Sequence, residues 1–477
     1  MGAALLLLYS QLPLGTAFEM GDDEGFEVIK GFMCSKGYTL YTHIWNDQPP
    51  VSTMLLSTAF KLCGPTILTA RLVAAGFGLL LVAAFHELVR RRSGPWAALL
   101  ATFLLVASPG VLLLMVSVML EAPALATALL SAWVLAGWYK RRHWAWLLAS
   151  GGIMAVAMQI KLTSALVVPA VVVELFLASW ARARPLWPAV SKVLCWGASV
   201  AVVFTVIGLT WGKGALESSW KSHTSSKVVE GLDRPEDHKF EPRLLRSHVE
   251  CVAGAAVGII VALRRSRWRE IAFPLVLLTT VSAIHAVHRP WWNYYYLHLA
   301  IPLAWLAGWT LNEIIQAVRR LQSQGGFNLS SAAAWKGLAL CGLAALAIAR
   351  SERRLEANIK YLQQRPAADA NPIVRKMKEY AGRASWVYSE SGIYPFHARL
   401  RVPPELAIVM PKRFWSGQIT TAEIIEDCKR YRPELVVLPV ASLNEEWKRF
   451  LSADYVFSSA DTRSALYVAK RLSEAGE

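Results

Sequence analysis

Long apolar stretches separated by short basic clusters dominate the pattern of hydrophobic and polar positions along the chain. Most stretches have about 16–24 residues, and a helix needs roughly 20 apolar residues to cross a bilayer. The pattern therefore predicts a mainly α-helical, polytopic membrane bundle of about 11 spans, including a short first span at residues 1–18. The other stretches lie at 66–89, 95–114, 123–139, 144–160, 164–180, 189–209, 248–263, 271–287, 294–312 and 335–350.

Basic clusters follow every second apolar stretch. Lys and Arg accumulate in loops on the cytoplasmic side of membrane proteins. We therefore expect these clusters in the cytoplasm and the intervening loops, notably 19–65 and 210–247, on the opposite face. The clusters are Arg90–Arg92, Lys140–Arg142, Arg182 with Arg184, Arg264–Arg269 and Arg319–Arg320.

The last part of the chain has a different pattern. We expect residues 1–350 to form the membrane module and residues 351–477 a small soluble α/β domain on the extra-cytoplasmic side. Short apolar runs predict strands, and one amphipathic segment predicts a helix that begins at a Thr cap. The predicted strands are Ser385–Glu390, Glu434–Pro439, Tyr455–Ser458 and Ala465–Lys470, and the predicted helix is Thr421–Tyr431, capped by Thr420 or Thr421.

Composition supports a membrane protein. Hydrophobic residues make up 55% of the 477 residues, and the mean hydropathy is +0.35. The net charge of +16 does not indicate a nucleic-acid partner, because the basic residues occur as orientation signals between apolar segments. The 6 cysteines show no paired spacing, so neither a disulfide framework nor a zinc site is expected.

Three consecutive acids, Asp22, Asp23 and Glu24, follow the first apolar segment. Carboxylates at the rim of a membrane bundle are costly, which favours a functional role. A partly desolvated Asp23 would be a useful general base, because burial raises the pKa of a carboxyl group towards working pH. The alternative is that these acids only cap the helix Glu24–Lys36, which we expect to lie in the membrane interface.

Two further motifs stand beside apolar segments. Gln48 precedes Pro49 and Pro50, which predicts an extended junction into the next helix. Glu121 precedes Pro123, and it is either a helix-start acid or a second carboxylate that faces Asp23 across the outer mouth. Oxygen ligands suit Mg²⁺ or Mn²⁺, so Asp23 and Glu121 are the candidate ligands if the site holds a metal.

Cations and aromatic residues occur at the same expected face. Lys161 and Arg289 could bind a phosphate or anchor the helices by reaching into the interface. His288 and Arg289 begin a run that continues to Tyr296 and is rich in Trp and Tyr. This run is either an aromatic belt or a surface that contacts a sugar or a prenyl chain.

Taken in order, four motifs resemble those of the GT-C glycosyltransferases, and more narrowly the bacterial protein O-mannosyltransferase and aminoarabinose-transferase group (glycosyltransferase family 39-like). The resemblance covers roughly residues 1–350, and the tail resembles the extra-cytoplasmic domain of many bacterial members. The motifs are Asp23-Glu24, the x-x-Pro-Pro junction at Gln48, Glu121-x-Pro123, and Arg289-Pro-Trp-x-x-Tyr294.

The resemblance implies an enzyme that transfers a monosaccharide, with inversion, from a polyprenyl-phosphate-linked donor to an acceptor hydroxyl of a lipid, glycan or protein. Asp23 is then the general base or acceptor contact, with Glu24 beside it, and Glu121 is the second acid, usually Asp in the family. Arg289, His288 and Tyr294 help to bind the lipid phosphate. The implied location is the inner (plasma) membrane of a bacterium, among membrane lipids, with the active site facing the periplasm or exterior.

One departure bears on the substrate. Many aminoarabinose transferases carry Lys before the double proline, where it meets the carrier phosphate, whereas this chain has Gln48. Gln can donate a hydrogen bond but brings no charge, so the phosphate contact shifts towards Lys161 or Arg289. A transporter or flippase of a lipid-linked or small polar solute, and a non-catalytic membrane scaffold, are the alternatives. A transferase predicts that Asp23 and Glu121 converge on one cavity that is open to the outside and laterally to lipid. A transporter predicts a central path, and a scaffold predicts no cavity.

Overall fold

The computed structural model describes residues 2–141, 143–183, 186–212, 214–215, 218, 230–231, 239–323 and 332–474. Much of the expected outer loop 210–247, together with Arg142 and Arg184 of two basic clusters, lies outside these ranges.

A helical bundle occupies the described residues up to Gln363, as the apolar stretches predict. The mainly α-helical class expected from the sequence is confirmed. The helices are α1 Gly2–Ser10, α2 Glu24–Ser35, α3 Val51–Cys63, α4 Ile67–Val106, α5 Val111–Val116, α6 Glu121–Arg141, α7 Trp144–Ile160, α8 Val168–Ala183, α9 Leu186–Thr210, α10 Pro242–Ser247, α11 Val249–Arg264, α12 Trp268–Val287, α13 Tyr296–Ser323 and α14 Ala332–Gln363.

Helix α4 consists of two helices that meet at Gly94. Gly94 has φ 88° and ψ 171°, and Pro95 follows it. A positive φ of this size suits glycine, and proline fits the first turn of a new helix. The break agrees with the two separate stretches, 66–89 and 95–114, expected from the sequence. It lies directly after the basic cluster Arg90–Arg92.

Several described helices are long and apolar enough to cross a membrane. Their outer faces expose large apolar side chains such as Leu72, Leu194 and Val202, of which Val202 is 61% exposed. Apolar patches of this kind are rare on soluble proteins and suit contact with lipid. The candidate spans are Ile67–Val106, Glu121–Arg141, Leu162–Trp180, Leu186–Thr210 and Trp268–Val287, and the shorter apolar helices are Val51–Cys63 and Trp144–Ile160.

The bundle core forms where α4 packs against α6 and α13, and α7 packs against α6 and α9. Small residues allow these close contacts, as is usual between membrane helices. Buried hydroxyl groups add hydrogen bonds, since Ser131 Oγ donates to the Ser150 carbonyl at 2.7 Å. The indole of Trp196 donates to Ser150 Oγ at 3.0 Å and so ties α9 to α7.

A four-stranded sheet follows the bundle, and we refer to residues 364–474 as the C-terminal domain. The strand order is β1-β2-β4-β3, with β1 and β2 parallel and the other neighbouring pairs antiparallel. Helix α14 runs through residue 350, and the division of the chain there stays a prediction. The elements are α15 Pro372–Glu379, β1 Val387–Ser389, α16 Ile393–Ala398, α17 Pro411–Trp415, α18 Thr421–Tyr431, β2 Leu435–Pro439, α19 Glu445–Asp454, β3 Tyr455–Ala460, β4 Ser464–Ala469 and α20 Lys470–Glu474.

Helix α18 begins as its sequence predicts. The Thr420 hydroxyl accepts a hydrogen bond from the Glu423 amide at 3.3 Å, and the Glu423 carboxylate accepts one from the Thr420 amide at 2.8 Å. This reciprocal pair is a capping box, which satisfies two otherwise unpaired amides at the helix start.

Helix α2 is buried on two sides, and the expectation of an interfacial helix is wrong for it. One face packs against α3 and the other against α16 of the C-terminal domain. Lys30 is only 2% exposed. Its ammonium donates to Glu27 at 2.8 Å and to Asn46 at 3.0 Å. The C-terminal domain thus holds the segment that carries the three acids.

Candidate active site

Four helix ends at one end of the bundle bring the candidate residues together. Asp23 lies directly before α2, and Glu121 is the first residue of α6. Lys161 lies directly after α7, which runs antiparallel to α6. Tyr294 belongs to the short turn Asn293–Tyr295 that precedes α13. The opposite ends of α6 and α7 carry the basic residues around Lys140, as the charge pattern predicts.

Asp23 has the electrostatics of a general base. Its half-buried carboxylate accepts a hydrogen bond from the Tyr294 hydroxyl. Burial raises the pKa of Asp23 to about 7, although the nearby positive charge of Lys161 lowers that pKa. The negative charges of Glu121 and Glu27 act in the same direction as burial. A carboxyl group with a pKa near 7 can both accept and release a proton at working pH.

Lys161 and Glu121 form a buried ion pair beside Asp23. The Lys161 ammonium also lies over the rings of Tyr294 and Tyr295, at 4.9 and 5.4 Å from their centroids. Burial alone would lower the pKa of Lys161, but Glu121, Tyr295 and Asp23 together outweigh burial and raise that pKa. The second oxygen of Glu121, Oε2, is buried and has no hydrogen-bond partner within the described part of the chain. It is therefore available to a ligand.

Glu24 lies away from this cluster, although it follows Asp23 directly. Its carboxylate accepts two hydrogen bonds from the Arg71 guanidinium, at 3.0 and 2.7 Å. The amides of Met20 and Val118 donate to the same carboxylate at 2.7 and 3.1 Å. Both oxygens are therefore occupied, and the fully buried Glu24 fixes the fold of the segment that presents Asp23. The structure does not favour the expected catalytic contact for Glu24.

The junction at Gln48 is a folded loop whose contacts are mostly local. The Gln48 carbonyl accepts from the Tyr41 hydroxyl and from Asn46 Nδ2, both at 2.7 Å. Its neighbour Asp47 pairs with Lys412 of the C-terminal domain at 3.0 Å. The structure thus brings a lysine to this loop, but from the other end of the chain.

The late motif, His288 to Tyr296, lies partly at the site and partly at the protein surface. The His288 ring is half-buried and lies 6.0 Å from the Tyr295 ring, and burial lowers the pKa of His288. Arg289 is exposed and forms no ion pair or hydrogen bond with the described residues. His288 and Tyr294 therefore lie at the cluster, whereas Arg289 is exposed.

Two histidines that sequence reasoning missed stack behind the cluster. His285 Nε2 and His298 Nδ1 lie 3.0 Å apart, and both rings stack on Tyr295. Each histidine stands alone in an apolar helix, so no sequence signal distinguished it from an ordinary core residue.

An apolar groove opens beside the ion pair. It contains about 310 Å³ of empty space, part of it open to solvent, between α3, α4, α6 and α7. Met119, Pro123 and Ile160 line the end next to Glu121 and Lys161. The groove is therefore lined mostly by apolar side chains, three of which come from sequence neighbours of the ion pair.

Among the described residues, one group of possible metal ligands has its ligand atoms within 4.8 Å of one another. It consists of His248, Glu250 and Cys251. Both His248 nitrogens are already engaged, with the Tyr296 hydroxyl at 2.7 Å and Ser108 Oγ at 3.1 Å. Glu250 pairs with two arginines of α14. These contacts make the group a structural network and leave no vacant ligand set for a metal.

Comparison with known proteins agrees with this geometry. Residues 47–211 match the family model of dolichyl-phosphate-mannose-protein mannosyltransferase. The structure of ArnT from Cupriavidus metallidurans bound to undecaprenyl phosphate aligns with a TM-score of 0.63 at 16% identity, over 98% of this chain and 97% of that one. The chain has the fold of the GT-C glycosyltransferases of the protein mannosyltransferase and ArnT group. The resemblance expected from the four sequence motifs is confirmed.

Other solved GT-C structures are also similar. ArnT in the apo state gives a TM-score of 0.64 at 16% identity, over 98% of this chain and 97% of that one. The oligosaccharyltransferase of Archaeoglobus fulgidus in complex with Zn and sulfate gives 0.57 at 11% identity, over 98% of this chain and 72% of that one. No curated protein sequence matches significantly. The expectation of a membrane-embedded glycosyltransferase agrees with these matches, and none of them favours a transporter.

Proposed function

We propose that this GT-C protein transfers a monosaccharide from a polyprenyl-phosphate-linked donor to an acceptor hydroxyl, with inversion. The observation that carries the proposal is Asp23, with a pKa of about 7, beside the Lys161–Glu121 pair. An apolar groove lies next to it, lined by Met119, Pro123 and Ile160. ArnT has been solved with undecaprenyl phosphate and the Archaeoglobus fulgidus enzyme AglB with a dolichol-phosphate. A ligand of that class has a charged head and an apolar tail, which suit the cluster and the groove.

The reaction is a single displacement at the anomeric carbon. The acceptor hydroxyl gives its proton to Asp23, while its oxygen forms the new bond to that carbon. The bond between the carbon and the phosphate oxygen breaks, and its electron pair leaves with the polyprenyl phosphate. General-base help of this kind is worth about 10²–10⁴-fold in rate. Glu121 Oε2, which is buried and available, orients the acceptor by accepting a hydrogen bond.

Lys161 stabilises the charge that develops on the leaving phosphate. A positioned cation in a dry site lowers the energy of a transition state in which negative charge grows. The rings of Tyr294 and Tyr295 hold the ammonium in place. Arg289, at the exposed end of the same segment, contacts the phosphate or a neighbouring lipid headgroup as the donor enters.

A divalent cation fits this site poorly. Mg²⁺ or Mn²⁺ would need oxygen ligands, for which Asp23 and Glu121 are the candidates. The Lys161 ammonium already pairs with Glu121 and acts on Asp23, so a metal ion would have to displace it. We therefore assign charge stabilisation to Lys161 and derive no step through a metal.

The location follows from the charge pattern. Basic clusters at the end opposite Asp23 support a site on the outer face under the positive-inside rule. In a bacterium this face is the periplasmic side of the inner membrane. The acceptor is then a lipid, a glycan or a protein that reaches this side.

The test uses purified full-length protein in lipid nanodiscs and labelled polyprenyl-phosphate sugars. We expect label to move from the lipid carrier to an acceptor hydroxyl and undecaprenyl phosphate to be released in equal amount. Transport of intact donor across a liposome membrane, without cleavage of the sugar–phosphate bond, would instead establish a flippase.

A further inference from the structure

The short helix α17 of the C-terminal domain lies over the candidate site. Its Lys412 pairs with Asp47 at 3.0 Å, in the loop that leads to α3. The Trp415 ring at its end stacks on Trp292 of the late motif, with centroids 6.4 Å apart and an angle of 13° between the planes. Helix α17 therefore bridges the two loops that border the site.

The loop before Asp47 adds to this contact. Trp45 Nε1 donates a hydrogen bond to Gln418 Oε1 at 2.9 Å. The Arg413 guanidinium lies 5.2 Å from the centre of the Trp45 ring. These contacts hold α17 in a defined place, so the position of Lys412 beside the site is built into the fold.

Lys412 lies close to the residues of the catalytic cluster. Its charge acts on His288, in addition to the burial that lowers the pKa of that residue. Its partner Asp47 interacts electrostatically with Tyr295, on whose ring the Lys161 ammonium rests. Lys412 of the C-terminal domain and Lys161 of the helical bundle thus approach the same region around Tyr295.

The charge balance of the cluster calls for a second cation when the donor binds. Asp23 and Glu121 bring two carboxyl groups, and the buried Lys161 pairs with Glu121 and acts on Asp23 through its charge. A donor phosphate adds a negative charge, which grows as the sugar leaves. Phosphate oxygens form strong, charge-assisted hydrogen bonds with lysine, and Arg289 is exposed. Within the described C-terminal domain, Lys412 is the only lysine that forms an ion pair with a loop of the site.

We propose that Lys412 completes the donor site by binding the phosphate of the lipid-linked sugar, and that the phosphate replaces Asp47 as its partner. The C-terminal domain thereby supplies a ligand contact and does more than cover the bundle. The inference rests on the proposed function, because it names a further residue of that donor site. A lipid phosphate and free phosphate share the chemistry that Lys412 recognises, so the experiment includes both.

A purely structural ion pair makes a different prediction from a phosphate contact. If Lys412 and Asp47 only hold two segments together, Lys412→Gln and Asp47→Asn should have similar effects. If Lys412 binds phosphate, Lys412→Gln weakens phosphate binding. Asp47→Asn leaves it intact or strengthens it, because a competing carboxylate is removed. The two variants therefore separate the two roles.

The experiment titrates full-length protein in nanodiscs with undecaprenyl phosphate, undecaprenol or inorganic phosphate, and measures affinity without turnover. Lys448→Gln is the matched control, since Lys448 is an exposed lysine of the same domain that pairs with Glu445 at 2.8 Å. We expect Lys412→Gln to weaken undecaprenyl phosphate binding by about tenfold or more, the scale of a charged hydrogen bond. We expect Lys412→Arg and Lys448→Gln to bind like the wild type.

The results distinguish a failure of the proposed role of Lys412 from a failure of the proposed function. Equal affinity of Lys412→Gln and the wild type, or equal weakening by Lys412→Gln and Asp47→Asn, overturns the role of Lys412. Undecaprenol that binds as tightly as undecaprenyl phosphate also overturns it, because recognition would then lie in the tail. A wild-type protein that binds none of the three ligands contradicts the proposed function itself. Inorganic phosphate that competes with the lipid at the wild type, but less well at Lys412→Gln, supports Lys412 as a contact to the phosphate group.

Discussion

The Glu24 carboxylate and the Arg71 guanidinium form a buried, bidentate ion pair, with hydrogen bonds of 3.0 and 2.7 Å. Arg71 also donates to the carbonyls of Leu14 and Ala17. One arginine therefore ties α4 to the segment before α2. Two neighbouring acids, Asp23 and Glu24, thus have different tasks, since one faces the site and the other anchors it.

The first prediction concerns that anchor. Removing one partner of a buried ion pair leaves an uncompensated charge and costs about 3–5 kcal/mol. We expect Arg71→Ala to lower the free energy of unfolding by this amount and to reduce the yield of folded protein. Thermal unfolding in detergent measures the change. An Arg71→Ala protein that melts like the wild type would remove the anchoring role.

The second prediction is the pH dependence of transfer. Asp23 must be deprotonated to act as a base, and its pKa is about 7. The rate should therefore be low in acid, rise with pH through about 7, and level off above it. The measurement is kcat/KM against pH with a saturating acceptor. A flat profile between pH 5 and about 9 would contradict the assignment, since the base would then titrate elsewhere.

The third prediction uses the two neighbours of Asp23, whose charges act in opposite directions. Glu121 raises the pKa of Asp23, and Lys161 lowers it. Glu121→Gln should therefore move the rising limb of the pH profile to lower pH, and Lys161→Met should move it to higher pH. Both variants should also turn over more slowly, so the readout is the midpoint of the limb. Shifts in the same direction for both variants would show that this electrostatic account is wrong.

The fourth prediction concerns metal ions. The Lys161 ammonium already pairs with Glu121, and a side-chain cation needs no metal to stabilise the leaving phosphate. We therefore expect EDTA to leave the transfer rate unchanged within about twofold. The assay compares protein treated with EDTA, with and without added Mg²⁺ or Mn²⁺. Loss of activity with EDTA and its recovery with Mg²⁺ would instead assign Asp23 and Glu121 as metal ligands.

Part of this molecule could be predicted from the sequence for clear physical reasons. The length of the apolar stretches and the position of Gly94 determine where helices run and break. Helix α18 begins at Thr420 because the capping residues are local. The grouping of Asp23, Glu121 and Lys161 at one end followed from counting spans between basic clusters.

The remaining features depend on contacts between distant parts of the chain. Nothing near residue 24 shows that Glu24 meets Arg71, and nothing near residue 47 shows that Asp47 meets Lys412, which is 365 residues away. The sequence of α2 alone resembles that of an interfacial helix, but in the fold α16 covers its second face. Tertiary packing thus decides which of two adjacent acids pairs with Arg71 and which interacts with Lys161, and local pattern cannot.

The most direct test of the account compares Asp23→Asn with Asp22→Asn in sugar transfer from a labelled polyprenyl-phosphate donor. Asp22 is the exposed neighbour, so the two variants remove the same group one residue apart. We predict that Asp23→Asn binds the donor and melts like the wild type but transfers sugar about 10²–10⁴-fold more slowly, and that Asp22→Asn transfers at the normal rate. Normal transfer by Asp23→Asn would contradict the assignment of Asp23 as the base.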